Sequence, residues 1–206
     1  MIFKIFLKQP FKTENRSCNK PTDLKKEIMK LFVVSLLSVL FSSAIFAQSY
    51  TPKDDGSKVH FVIKNFGVAT GGDFTGLSGT IKFDPNNLAT ADFDVSVDAK
   101  TVDTDIESRD KDLRKSNYFD VATYPKLSFK STKVSKTNKA DYLYMFGNIT
   151  IKGVTKEIKF PFKATAKDGG YLFEGSFKLN RRDFGVGGSS ISLADELTAT
   201  LTVFAK

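Results

Sequence analysis

The chain has 206 residues, a length that favours one domain and suffices for a sizeable core. It carries 31 Lys+Arg against 23 Asp+Glu, a formal net charge of +8, with one Cys, one His and no Trp. One cysteine excludes an internal disulfide, and one cysteine with one histidine excludes a closed Cys/His zinc site.

The N-terminal segment reads differently from the rest. Leu31 to Phe41 runs LFVVSLLSVLF, preceded by Lys25, Lys26 and Lys30 and followed by Ser42, Ser43, Ala44 and then Ile45-Phe46-Ala47. A basic stretch, a short apolar run and a small residue before the cut describe a secretory signal peptide over 29–47, cleaved after Ala47. Met29 opens that segment, so translation is expected to start there, and residues 1–28 are read as a leader upstream of the true start. An uncleaved anchor is the alternative, because the run to Ala47 approaches the roughly 20 apolar residues of a span. Cys18 falls in the leader, so the exported chain from Gln48 holds no cysteine and relies on packing alone. Residues 1–47 hold 8 Lys+Arg and 3 Asp+Glu, leaving 23 and 20 in residues 48–206, a net of +3. A mixed surface of that charge gives no reason to expect nucleic acid as a partner.

Residues 48–206 alternate apolar and polar side chains with a period of two, the pattern of strands with one solvated and one dry face. Val59-Phe61-Ile63 comes first, with His60 on the opposite parity. Leu77-Gly79-Ile81-Phe83 follows, and a turn at Asp84-Pro85-Asn86-Asn87 leads to Phe93-Val95-Val97, interleaved with Asp92, Asp94, Ser96 and Asp98. Thr104-Asp-Ile-Glu107 then reads as a capping box. Ile106 and Leu113 on one face predict a short helix over 105–116, a lid or plug on a barrel end. Tyr118-Phe119 and Tyr124-Pro125 follow it as mouth or loop-anchoring aromatics. Leu127-Phe129, Met145-Gly147-Ile149-Ile151, Ile158-Phe160-Phe162, Tyr171-Phe173-Gly175-Phe177-Leu179 and Leu197-Ala199-Leu201-Val203 complete eight strands. Lys136-Thr137-Asn138-Lys139 marks one turn between them and Asp168-Gly169-Gly170 a tight hairpin. Eight such strands predict an all-β antiparallel sandwich or closed up-and-down barrel.

The dry parity is rich in phenylalanine: Phe61, Phe83, Phe93, Phe129, Phe160, Phe162, Phe173 and Phe177 lie in the strands or at their ends, whereas Phe66 and Phe146 fall on the opposite face. An eight-stranded barrel either fills with side chains or holds one small ligand, so both readings stay open. In a hollow barrel these phenylalanines bind the ligand together with Ile63, Ile81, Val95, Tyr118, Phe119, Ile149, Ile151 and Leu179. Arg181 continues the parity of Phe177 and Leu179. An inward arginine must be paired, either with Asp183 or another carboxylate or with a ligand head group. The sole histidine, His60, is expected in a surface or packing role.

Other patterns carry no chemistry. Gly76-Leu-Ser-Gly79-Thr80 lacks the last glycine of a nucleophile elbow. The glycine-rich Gly185-Val-Gly-Gly188 lacks a phosphate-loop lysine and reads as a loop. The acidic cluster Asp103, Asp105, Glu107, Asp110 and Asp112 lacks calcium-loop spacing.

Several stretches together carry a family likeness. The run Ser57-Lys-Val-His-Phe-Val-Ile-Lys-Asn-Phe-Gly67 is followed in order by Gly76-Leu-Ser-Gly79-Thr-Ile-Lys-Phe-Asp84 and Asp110-Lys-Asp-Leu-Arg114. Tyr118-Phe119-Asp120, Tyr124-Pro125-Lys-Leu-Ser-Phe-Lys-Ser131, Gly147-Asn-Ile-Thr-Ile-Lys-Gly-Val-Thr155 and Arg181-Arg-Asp-Phe-Gly185 complete the set. Their order and spacing across 57–204 resemble the YceI-like family of polyisoprenoid-binding, lipocalin-like exported proteins. The resemblance implies an eight-stranded antiparallel lipocalin-like barrel with one short helix and an elongated apolar pocket. It implies binding, sequestration or transport of a polyisoprenoid, quinone or fatty-chain lipid in the periplasm, or beyond the cell, with transient membrane contact and without catalysis or cofactor. A filled barrel serving interaction or stress response is the alternative, and a lipid-modifying enzyme on the same barrel is the third.

Overall fold

Burying one face of each alternating strand requires the sheet to close around that face. In the computed structural model, which describes residues 48–206, a single antiparallel sheet of ten strands curls on itself. The strands are β1 (Ser49–Tyr50), β2 (Pro52–Asn65), β3 (Val68–Phe74), β4 (Ser78–Lys82), β5 (Asp92–Asp98), β6 (Lys126–Lys136), β7 (Leu143–Ile151), β8 (Val154–Lys167), β9 (Gly170–Asn180) and β10 (Leu193–Ala205). The one α-helix among the described residues, α1 (Glu107–Leu113), lies in the long connection between β5 and β6. The neighbour order is β1-β4-β5-β6-β7-β8-β9-β10-β2-β3. The expected leader over 1–28, the expected signal peptide over 29–47 and Cys18 lie outside the described residues.

The order closes on itself through the first strand, which joins β4 to β10. Ser49 and Tyr50 pair with Lys82 and Ile81 of β4. Thr51 exchanges both backbone hydrogen bonds with Lys206, and Pro52 stands opposite Ala205 of β10. One run of chain, β1 into β2, thus pairs with β4 on one side and β10 on the other and draws the curl shut at that end. The expected all-β, lipocalin-like architecture is what forms, with ten strands in place of eight. One addition is only the start of the first strand. The other, β3, is new: its sequence VATGGDF has small residues where alternation would show. Gly72 is needed there, since a Cβ would come 2.6 Å from the Thr104 methyl and 2.8 Å from the Phe61 ring. The predicted hairpin at Asp168-Gly169 forms with φ of 49° and 78°, the left-handed pair that matches strand twist.

The helix is shorter than 105–116, and the capping box does not form. Ile106 occupies the N-cap without a side-chain bond. Thr104 instead donates its Oγ1 hydrogen and its backbone N–H (3.0 Å) to Oδ1 of Asp110. Arg109 donates Nε to Thr104 Oγ1 at 2.7 Å and Nη2 to the Thr104 carbonyl at 2.6 Å. Asp110 is buried, and a buried carboxylate demands donors more than an exposed Glu107 does.

Residues Phe46–Lys206 form one compact unit. The buried core side chains among the described residues run from Tyr50 to Ala205, all within that unit.

Candidate functional site

Antiparallel pairing puts the 84–91, 137–142 and 168–169 connections at one end of the curl and the β2–β3, β7–β8 and β9–β10 connections at the other. The first end is solid. Tyr50, Ile81, Phe83, Phe93, Phe162 and Phe173 are all buried there in one cluster. Their rings meet largely edge to face, with centroids 5.1 Å apart for Phe93–Phe173, 5.4 Å for Phe83–Phe173 and 5.1 Å for Phe83–Tyr171. That geometry sets positive ring edges against negative faces. Burial raises the Tyr50 phenol above its ordinary pKa, and Tyr171 and Asp84 push the same way.

The second half of the curl is hollow. A cavity of about 690 Å³ is walled by Val59, Phe61 and Ile63 of β2, Val95 and Val97 of β5, Leu127 and Phe129 of β6 and Ile149 and Ile151 of β7. Phe160 of β8, Phe177 and Leu179 of β9, and Leu197, Ala199, Leu201 and Val203 of β10 complete the wall. Phe160 and Phe177, 4.7 Å apart, stand where the cavity meets the solid cluster. Leu113 of α1, Tyr118 and Phe119 also line it, and Phe119 is held edge-on to Phe74 at 5.4 Å. The volume lies within the range of single-ligand sites.

Of the sequence candidates, Phe61, Ile63, Val95, Tyr118, Phe119, Phe129, Ile149, Ile151, Phe160, Phe177, Leu179 and Arg181 are brought to this cavity. Ile81, Phe83, Phe93, Phe162 and Phe173 are not, because they pack into the solid end. Parity along a strand says which face a side chain takes but not its height in the barrel. Lining residues that escaped the sequence reading include Thr70 and Phe74 of β3 and the serines of the loop before β10. Leu193 reaches the cavity from the start of β10, and neither it nor β3 showed alternation.

Arg181 sits at the mouth, only 4% exposed. Its Nε donates to the Ala194 carbonyl at 2.9 Å and its Nη1 to the carbonyls of Val186 (3.0 Å) and Gly188 (2.9 Å). Its Nη2 donates to the Leu193 carbonyl at 3.3 Å and to Asp195 Oδ1 at 2.8 Å. Five N–H groups therefore have five acceptors. The carboxylate partner is Asp195, not Asp183. This also explains the glycine-rich loop: Gly187 has φ of 67°, and a Cβ there would come 2.9 Å from Nη1 of Arg181. Thr104, Ser108, Arg109 and Asp112 form a polar stretch of lining on the α1 side.

His60 is partly buried, and its Nδ1 lies 2.6 Å from Oδ1 of Asp73, the residue opposite it in register. Phe146 lies on the outer face, with Lys159 5.0 Å and Lys133 5.9 Å above its ring. No group of three or more His, Cys, Asp or Glu side chains with metal-binding geometry occurs among the described residues.

Comparison with known proteins follows the same outline. A YceI-like domain matches residues 50–205. A UPF0312 protein of Pectobacterium atrosepticum is 30% identical over 172 residues, 79% of this chain and 88% of that one. Protein YceI of Salmonella arizonae matches at the same identity and coverage. Among solved structures, Burkholderia cenocepacia BcnA superposes with a TM-score of 0.71 at 25% identity, over 75% of this chain and 99% of that one. A polyisoprenoid binding domain from Saccharophagus degradans, implicated in plant cell wall breakdown, superposes with a TM-score of 0.63 at 15% identity, over 76% of this chain and 97% of that one, a likeness of fold. With a matching domain across nearly all of the described residues and relatives of similar length, this chain belongs to the YceI family.

Proposed function

We propose that this protein binds one long-chain lipid, a polyisoprenoid or a quinone tail or fatty chain of similar shape, and sequesters or carries it without chemical change. The observation that carries this reading is the apolar cavity of about 690 Å³ at the open end of the curl. The Saccharophagus degradans neighbour, described as polyisoprenoid-binding, supports it by analogy of fold. Each five-carbon prenyl unit moved from water into such a site gains roughly 4 kcal/mol gross, so three or four units give about 12–16 kcal/mol before ordering costs. Affinity at that level needs no charged contact. The guanidinium of Arg181 has all five N–H groups on protein acceptors, so it holds the mouth in shape and leaves no donor for a head group. Export by the 29–47 signal peptide would place the carrier in the periplasm, a point that fractionation of producing cells tests.

Native mass spectrometry of residues 48–206, with extraction and identification of what is bound, tests the reading. A hydrophobic chain at near-equal stoichiometry is expected. Ala199→Phe adds a ring within the cavity wall, so it is expected to abolish uptake of added prenyl alcohol while leaving the melting temperature unchanged or raised. A protein that takes up no prenyl alcohol, quinone or fatty chain overturns the proposal.

A further inference from the structure

We propose that the open end of the curl docks on the surface of an anionic lipid bilayer, so that a chain passes between membrane and cavity without crossing water. This deepens the lipid-binding reading above and rests on it. The large hydrophobic side chains that stand exposed among the described residues are Phe66 (81%), Val68 (67%), Ile106 (49%), Val154 (37%) and Ile191 (108%). Every one lies at the open end: Phe66 on the β2–β3 turn, Val68 at the start of β3, Ile106 on the approach to α1, Val154 at the start of β8 and Ile191 in the loop before β10. The closed-end turns instead carry Asp84, Asn86 and Asn87, Thr137, Asn138, Lys139 and Asp141, and Asp168.

Three of these connections are tied into one rim. The Phe66 N–H donates to the Ser192 carbonyl at 2.7 Å. Lys152 Nζ, on the β7–β8 turn, donates to the Gly185 carbonyl at 2.8 Å. The same segments supply Asn65, Ser190, Ser192 and Leu193 to the cavity lining, so the apolar rim borders the entrance itself.

Phe66 is the most telling residue. Its φ of 49° is left-handed, where a bulky side chain is strained and Asn or Gly is at ease. An aromatic ring held there in water gains nothing from the fold that a turn residue would not give. Strain of this kind persists where function requires the side chain. The charges beside Phe66, Val154 and Ile191 suit an anionic surface, whereas Ile106, between Asp105 and Glu107, is the acidic exception on the rim. Residues 64–70 and 185–194 contain no Asp or Glu, and Lys64 stands beside Phe66. Arg182, followed by exposed Asp183, faces Asp195 across the base of the loop. A few inserted apolar side chains with flanking cations give reversible interfacial binding, which a delivery step needs.

The test uses residues 48–206 and vesicles of phosphatidylglycerol with phosphatidylethanolamine. The wild-type protein is expected to co-sediment with these vesicles and less with neutral phosphatidylcholine. Phe66→Asn with Ile191→Ser is expected to weaken partitioning by about tenfold or more. The same variant should keep its melting temperature and take up prenyl alcohol delivered from cyclodextrin as the wild type does. Uptake of the alcohol without vesicle binding overturns the docking proposal alone. Vesicle binding without uptake supports docking and overturns the ligand reading. Equal partitioning of variant and wild type also overturns docking through this rim, and a concentration-dependent dimer lost in the variant while vesicle binding persists assigns the rim to a second copy instead.

Discussion

Arg181 is held mainly by backbone. Four of its five acceptors are carbonyls from the loop before β10 and the start of that strand, and only one is a carboxylate oxygen. Removing the guanidinium by Arg181→Met would leave those carbonyls short of donors in a buried wall and is expected to cost about 3 kcal/mol or more. Arg181→Lys keeps the charge but offers three donors from a single point, so an intermediate loss is expected. Urea unfolding of both variants checks this, and a lysine variant as stable as wild type would sink the five-donor account. The inward direction of Arg181 was legible, because it continues the parity of Phe177 and Leu179. Its partner was not, because Asp195 arrives from 14 residues away across a connection that wraps back over the arginine.

At the scale of the element, β9 spans both halves of the molecule on one face. Phe173 is buried against Phe83, Phe93 and Phe162 in the solid end, while Phe177 is half-buried beside Phe160 on the cavity wall. Phe173→Ala should therefore cost about 3–5 kcal/mol. Phe177→Ala should cost about 1–2 kcal/mol and show its larger effect on lipid uptake. Thermal or chemical melts paired with uptake assays separate the two, and equal losses of stability would contradict the division into solid and hollow halves. Alternation revealed most strands because their neighbours demanded one dry face. β3 stayed hidden because it packs through Gly71 and Gly72, whose close approach to His60, Phe61 and Thr104 leaves no room for an apolar marker. The helix was legible in place, but its cap was not, since the buried Asp110 draws Thr104 away from Glu107.

Across the whole molecule, the choice between a filled and a hollow barrel resolves into both, one at each end. Composition announced the aromatic content, but only the register of ten strands assigns each ring to a height. A ligand that binds only the folded state adds stability by mass action, about 2.7 kcal/mol at a hundredfold excess over Kd. For a domain of this size that is a rise of roughly 5–10 °C in melting temperature. Calorimetry with increasing prenyl alcohol should show the rise in the wild type and lose it in Ala199→Phe. No shift in the wild type would argue against an internal site.

The switch of partners at Thr51 also bears on how the chain comes together in time. Closure needs Ser49 and Tyr50 on β4 and Thr51 on Lys206, residues far apart in sequence. Contacts of such sequence separation form slowly, since the loop they close spans nearly the whole domain. While the last strand is still being synthesised, β2 has no β10 beside it and its pairing edge stands open. The curl therefore takes its closed shape only once Lys206 has been made, and until then the strand that joins its two sides has nothing on one side to hold.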